Sequence, residues 1–389
     1  MCKLKNYRLA LCTVAMALLG ICHAGAFDVS KYATQSKLST GKWVKISIPE
    51  TGVYELTDAD LLEMGFSNPA NVRLYGTGGY GISEILNGKA VDDLKPVPVK
   101  RYPGKLCFYG NGPIKFTLAS FRVVPHFVRE FNSYSQVGCY FLTEETTPET
   151  QMGIRQTTTV VDYVDTPTGM NFFYHENELS SISGSGKDLL GEDFKDAPLL
   201  IDYYLPDLSD STIVVSETLA ARTPATTYAE GVLHSGGATD TTAFIMNMAR
   251  IDAIPSDNDA VWYNSSSPYE RLKLSHPAEH GQFEPYLLNP TDANVTISRL
   301  DHFTLTYFRD NIIREDMDNQ MMMAYAMTSG KERYMLPNAS STTAVWCVYD
   351  VYAPTVVPLN TYNDASGQGL CFSTIAMTHV EHRSLCRSL

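Results

Sequence analysis

The chain has 389 residues, 30 basic against 43 acidic side chains and a net charge of −13. That balance argues against electrostatic capture of nucleic acid. The length exceeds a typical domain, so two or more domains are expected.

The amino terminus reads as a cleavable signal peptide over residues 1–26. Lys3, Lys5 and Arg8 precede the uncharged apolar run Leu9–Ile21, and Ala24-Gly25-Ala26 gives a small-x-small step. The run is shorter than the roughly 20 residues a spanning helix needs. A lipid anchor on Cys22 is disfavoured because Ile21 stands where a small residue is wanted. The expectation is an exported protein, in the periplasm or on the outer-membrane cell surface. No later stretch reaches spanning length, so attachment would be peripheral rather than integral. Of eight cysteines, Cys107, Cys139, Cys347, Cys371 and Cys386 lie beyond the signal. Their wide spacing is neither a disulfide scaffold nor a C-x-x-C metal site.

Beyond the signal, Val44–Ile48 alternates apolar and polar like a half-buried strand, and Pro49 to Gly52 turns the chain into Val53–Leu56. Thr57 and Asp60 have capping-box spacing, Leu61, Leu62 and Met64 give an apolar side, and Gly65 can end a short helix. Asn71–Tyr75, Thr157–Val164, Thr212–Leu219, Ala243–Met248, Val295–Tyr307 and Ala344–Val351 are further predicted strands. Thr143–Gly153 and Ser180–Lys187 are linker candidates, and Cys371–Leu389 departs from the β pattern. The fold class is mostly β: two or more β-sandwich or barrel-like domains after a signal peptide, with short helices. The expected division is residues 27–165, 166–360 and an atypical tail, 361–389.

Four motifs carry chemistry, each with a plainer reading. His276-Pro277-Ala278-Glu279-His280 fits H-x-x-E-H, a zinc-peptidase pattern that needs a helix. Pro277 and Gly281 oppose one, and a loop with two exposed histidines is the expectation. Tyr75 to Gly81 looks like a phosphate cradle, but no long helix and no Lys-Ser/Thr follow; the glycines fit a tight turn with positive φ. His126 and Cys139 are close enough in sequence for a nucleophilic dyad, yet Gly138–Leu142 reads as a core strand, where cysteine is inert. Glu315–Asp318 lacks the ligand spacing of a calcium loop. No catalytic, cofactor-binding or metal-ligating residue is assigned, and no cofactor is expected.

Ordered blocks carry a resemblance. Gly41–Ile46 with Thr51–Leu56, and Val72–Gly79 with Asp92-Asp93-Leu94, resemble the opening of the type IX secretion system sortase, the PorU family of gingipain-type cysteine peptidases in Bacteroidetes. Phe108–Pro113 is similar to that family's "FYA-x-GP" segment, and Asn132-Ser133-Tyr134 with Tyr140-Phe141-Leu142 to its "N-x-Y…YFL" segment. Gly184 with Gly191–Phe194, Leu300–Phe303 and Val345–Asp350 resemble its "SGR-x-W-x-GE-x-F", "LDY" and "VWDV" blocks. The resemblance implies β-rich domains ahead of a peptidase domain that removes C-terminal sorting domains from secreted cargo.

The family's catalytic His and Cys lie in Gly-His-Gly and small-residue-Cys contexts after the VWDV block, and the residues after Asp350 give neither context. One expectation is therefore a truncated or frame-altered sortase reading frame, with enzyme status open. The leading expectation is a non-catalytic region that positions cargo bearing C-terminal sorting domains, or docks to an outer-membrane β-barrel component. The alternatives are a fragment of the endopeptidase itself and a surface glycan-binding module.

Overall fold

The structure is a computed structural model that describes residues 32–81, 91–119, 126–155, 163–181, 189–236, 241–255, 263–267, 269–288, 295–314, 320–324, 331–375 and 382–388. The predicted signal peptide, most of the predicted strand Thr157–Val164 and the acidic run Glu315–Asp318 lie outside them. The chain divides into two units, Met1–Trp43 with Ile82–Lys95, and Val44–Gly81 with Pro96–Leu389. In the first, the 3-10 turn Lys37–Ser39 is capped by Ser36, and the Asp93 carboxylate accepts from the Lys37 amide at 3.0 Å.

The second unit begins with two small antiparallel sheets. Val44–Ile48 and Val72–Gly78 flank Gly138–Glu144 in one, and Gly52–Thr57 and Val99–Tyr102 flank Lys105–Gly110 in the other. Alternation along Val44–Ile48 is as predicted: Ile48 is buried while Lys45 and Ser47 are exposed. Ile48, Leu61, Phe66, Leu74, Leu106, Phe108 and Leu142 share one core. The predicted helix is Asp58–Glu63, with a complete capping box: Thr57 Oγ1 accepts from the Asp60 amide at 3.1 Å, and Asp60 Oδ2 accepts from the Thr57 amide at 2.8 Å. Gly65 closes it at φ +84°. Leu61 is fully buried but Leu62 is 53% exposed, because one turn and a half leaves room for a single inward leucine.

A β-sandwich follows. Thr168–Glu176 pairs antiparallel with Ile297–Asp310, which pairs in turn with Leu208–Arg222. Facing them is the sheet Ile201–Tyr204, His280–Leu288, Thr227–Ser235 and Thr241–Ile251. Ile213, Val215, Leu219, Phe303 and Leu305 of the first layer share a core with Leu233, Phe283 and Leu287 of the second. The Phe283 and Phe303 rings stack at 4.1 Å. The hairpin Ile114–Ala119/His126–Phe131 packs on this sandwich through Phe116, Phe127, Met170 and Phe172, and the Phe127 amide donates to Thr306 Oγ1 at 3.2 Å.

Two sequence readings are corrected here. Thr143–Gly153 is not a free linker: Thr143 belongs to a strand, Thr150 accepts from the Val99 amide, and Gly153–Ile154 pairs with Thr355–Val356. The β pattern also continues past Cys371. Gly367–Ile375 lies between Lys331–Leu336 and Asn360–Asp364, and His382–Ser388 pairs with Thr343–Cys347. Short polar strands on a sheet lack the clean alternation that sequence reading relies on. Among the described residues, Cys107, Cys139, Cys347 and Cys371 are unbridged.

Candidate functional site

The sequence motifs resolve first. His276 lies in a loop, and His280 begins the strand His280–Leu288, with both side chains exposed. The His280 ring stacks on Tyr204 at 4.4 Å, and Glu279 Oε1 accepts from the Asp207 amide at 2.7 Å. The H-x-x-E-H pattern thus has no helix to align its histidines, and its glutamate holds a turn.

The glycines at 76–81 make a backbone junction. Gly76 and Gly78 have φ +139° and +80° at a bulge opposite Tyr140 and Cys139. The Gly79 amide donates to Asn111 O at 2.8 Å, and Asn132 Nδ2 donates to Gly79 O at 2.7 Å. Tyr140 Oη accepts from the Asn111 amide at 2.9 Å. Blocks named for their resemblance to one family therefore meet at one point.

His126 is buried in the hairpin and stacks on Tyr269 at 4.3 Å, whereas Cys139 lies in the first small sheet, opposite Ser47 and Gly78. The proposed dyad partners belong to different sheets.

A cluster that sequence reading missed lies where the hairpin meets the sandwich. Register sets Thr218, His302 and Glu176 side by side across three adjacent strands. Pairing with Leu208–Arg222 skips from His302 to Leu300, so Asp301 is a bulged residue. A bulge re-aims side chains, and here Asp301 and its neighbour His302 meet: Asp301 Oδ2 and His302 Nδ1 are 3.0 Å apart. The hairpin brings Arg129, whose Nη2 donates to Glu176 Oε1 and reaches Asp301 Oδ1 at 3.4 Å. The Glu176 side chain is 4% exposed, and those of Arg129, Asp301 and His302 are 15–16% exposed.

Burial dominates the electrostatics. It pushes the Glu176 carboxyl up to about 8 against the opposing pull of Arg129, with Glu178 and Asp301 adding repulsion. It also lowers His302, so the imidazole favours its neutral form. A cavity of about 320 Å³ opens beside the cluster, lined by Arg129, Phe131, Glu178, Thr218, Tyr263 and Asp301. The guanidinium lies 5.4 Å over the Phe131 ring. Chemically, this arrangement can hold and release a proton near neutrality. The signal available in sequence was the Asp301-His302 pair, which drew notice only as part of a family-like block.

No protein-family profile matches the chain, and no curated protein matches it. Among solved structures, dimeric latent PorU from Porphyromonas gingivalis is similar at a TM-score of 0.76 and 21% identity, over 92% of this chain and 33% of that one. A cycloisomaltooligosaccharide glucanotransferase from Paenibacillus sp. (11% identity, 60% of this chain, 46% of that one) and the infectious bursal disease virus VP2 subviral particle (10%, 92%, 83%) align at TM-scores of only 0.18 and 0.22 and carry no weight. The chain thus has a PorU-like, β-rich fold and spans about a third of the length of the PorU structure it matches.

Proposed function

We propose that this chain is an exported, non-catalytic region that acts as the front of a type IX sortase does, positioning secreted cargo or docking to an outer-membrane partner. The observation that carries this reading is the fold likeness to PorU over nearly the whole chain. The meeting of Gly79, Asn111, Asn132 and Tyr140 at one junction supports it, because ordered family-like blocks would be expected to converge if they serve one architecture. The partners would be cargo proteins with C-terminal sorting domains or an outer-membrane β-barrel component. Location in the periplasm or on the cell surface follows from the signal-peptide reading, with peripheral attachment to the membrane.

The test is direct binding. The chain without residues 1–26 would be immobilised and titrated with a purified C-terminal sorting domain, and separately with the detergent-solubilised barrel component. Saturable binding to either is the expected result, and no binding to both refutes the proposal. Incubation with full-length cargo tests the second reading, a cysteine endopeptidase. Cargo cleavage that a thiol-alkylating reagent abolishes would replace the binding role with a catalytic one.

A further inference from the structure

We propose that Glu176, Asp301 and His302 form a binding site for one divalent transition-metal ion, for which zinc is the natural probe. Three observations converge on it, independently of the fold likeness.

The first is placement. One ligand atom from each residue lies within 4.8 Å of the others, close enough to share a single ion after small side-chain adjustments. Glu176 and His302 are direct cross-strand partners, and the bulge at Asp301 turns two consecutive residues toward the same point. An unbulged strand would send Asp301 and His302 to opposite faces.

The second is the crowding of carboxyls. Arg129 engages one oxygen of Glu176; the other, Oε2, lies buried where the Glu176 carboxyl meets that of Glu178, and only a shared proton joins the two acids. Glu176, Glu178 and Asp301 crowd together, and Arg129 forms ion pairs with Glu176 and Asp301. Carboxyls pressed together in a buried site repel once ionised, and a shared cation would remove that repulsion.

The third is access. Asp301, Glu178 and Arg129 also line the adjoining cavity, which would admit the ion and leave room for water to complete a tetrahedral shell. One imidazole with two carboxylates is a donor set of the kind that suits zinc and its neighbours better than calcium.

Arg129 is then a competitor for the same oxygens, which gives the proposal its sharpest test. Zinc binding to the purified chain would be measured by competition with a chromophoric chelator, for wild type and for Glu176→Gln, His302→Gln and Arg129→Met. Wild type should bind one equivalent. Each glutamine variant should weaken binding tenfold or more, and Arg129→Met should tighten it. Glutamine variants that bind as tightly as wild type, or a wild type that binds none, would overturn the site. Should a variant fail to fold by circular dichroism, X-ray absorption at the zinc edge of the wild type decides the question alone. A shell of nitrogen and oxygen with one imidazole supports the assignment, and a sulfur-containing shell assigns the metal to cysteine and refutes it.

Discussion

Replacing Glu217 with leucine should stabilise the protein, and more so as pH rises. Glu217 is fully buried on the inward face of Leu208–Arg222, in register with Phe303, and neither of its carboxyl oxygens has a hydrogen-bond partner. Burial, with repulsion from Glu230, raises its pKa well above the usual carboxylate value, so the folded protein holds it neutral. A neutral polar group left unsatisfied costs about 1–3 kcal/mol, and a leucine between Val215 and Leu219 removes that cost while keeping apolar volume. The expected gain from this effect alone, before any ionisation, is therefore about 1–3 kcal/mol.

The pH dependence has a definite sign. A carboxyl whose folded pKa is raised binds more protons folded than unfolded, so its contribution is intact below the unfolded value near 4.3. It is lost above that value, by up to about 1.4 kcal/mol per pH unit, until the folded group ionises. Urea unfolding at pH 5 and pH 8 measures both effects. The wild-type-minus-leucine difference should widen toward pH 8, with unchanged m-values. Glu217→Gln should remove the widening but leave the cost of the buried, unsatisfied polar group in place. A leucine variant less stable than wild type at pH 8, or a difference that does not change with pH, would refute the reasoning.

Other positions give equally definite outcomes. A methyl at Gly138 would lie 2.1 Å from Asn111 O, so Gly138→Ala should destabilise the small sheet containing Gly138–Glu144 by about 3 kcal/mol, on the scale of severe overpacking, read as a lowered urea midpoint. Tyr140→Phe strips the buried Asn111 amide of its acceptor and should cost about 1–3 kcal/mol in the same assay. Thr57→Ala removes the cap of Asp58–Glu63; the loss should be about 1 kcal/mol, with faster amide exchange confined to that helix.

Much of the local structure was legible because local chemistry sets it. The Thr57/Asp60 spacing and Gly65 mark both ends of the helix, and the alternation of Val44–Ile48 gives its buried side. The positive φ angles at Gly76 and Gly78 follow from glycine's freedom alone. Glu217 was legible in principle: Ile213, Val215 and Leu219 share its face, so strict alternation puts a carboxyl in the core. The cluster was not legible. Arg129 is 47 residues from Glu176 and 172 from Asp301, and a one-residue bulge decides where Asp301 points. Register of that kind is a property of the assembled sheets.

The hairpin Ile114–Ala119/His126–Phe131 also bears on the order in which the chain can fold. Its aromatic face is complete long before its docking surface exists: Phe116 and Phe127 await Phe172, and the Phe127 amide awaits Thr306, 179 residues downstream. A chain emerging from its amino terminus must therefore carry two unburied phenylalanines and an unanswered Arg129 until the strand Thr168–Glu176 arrives, and an unanswered Phe127 amide until Ile297–Asp310 does. That interval is when the protein is most exposed to aggregation and when a holding chaperone would bind it best.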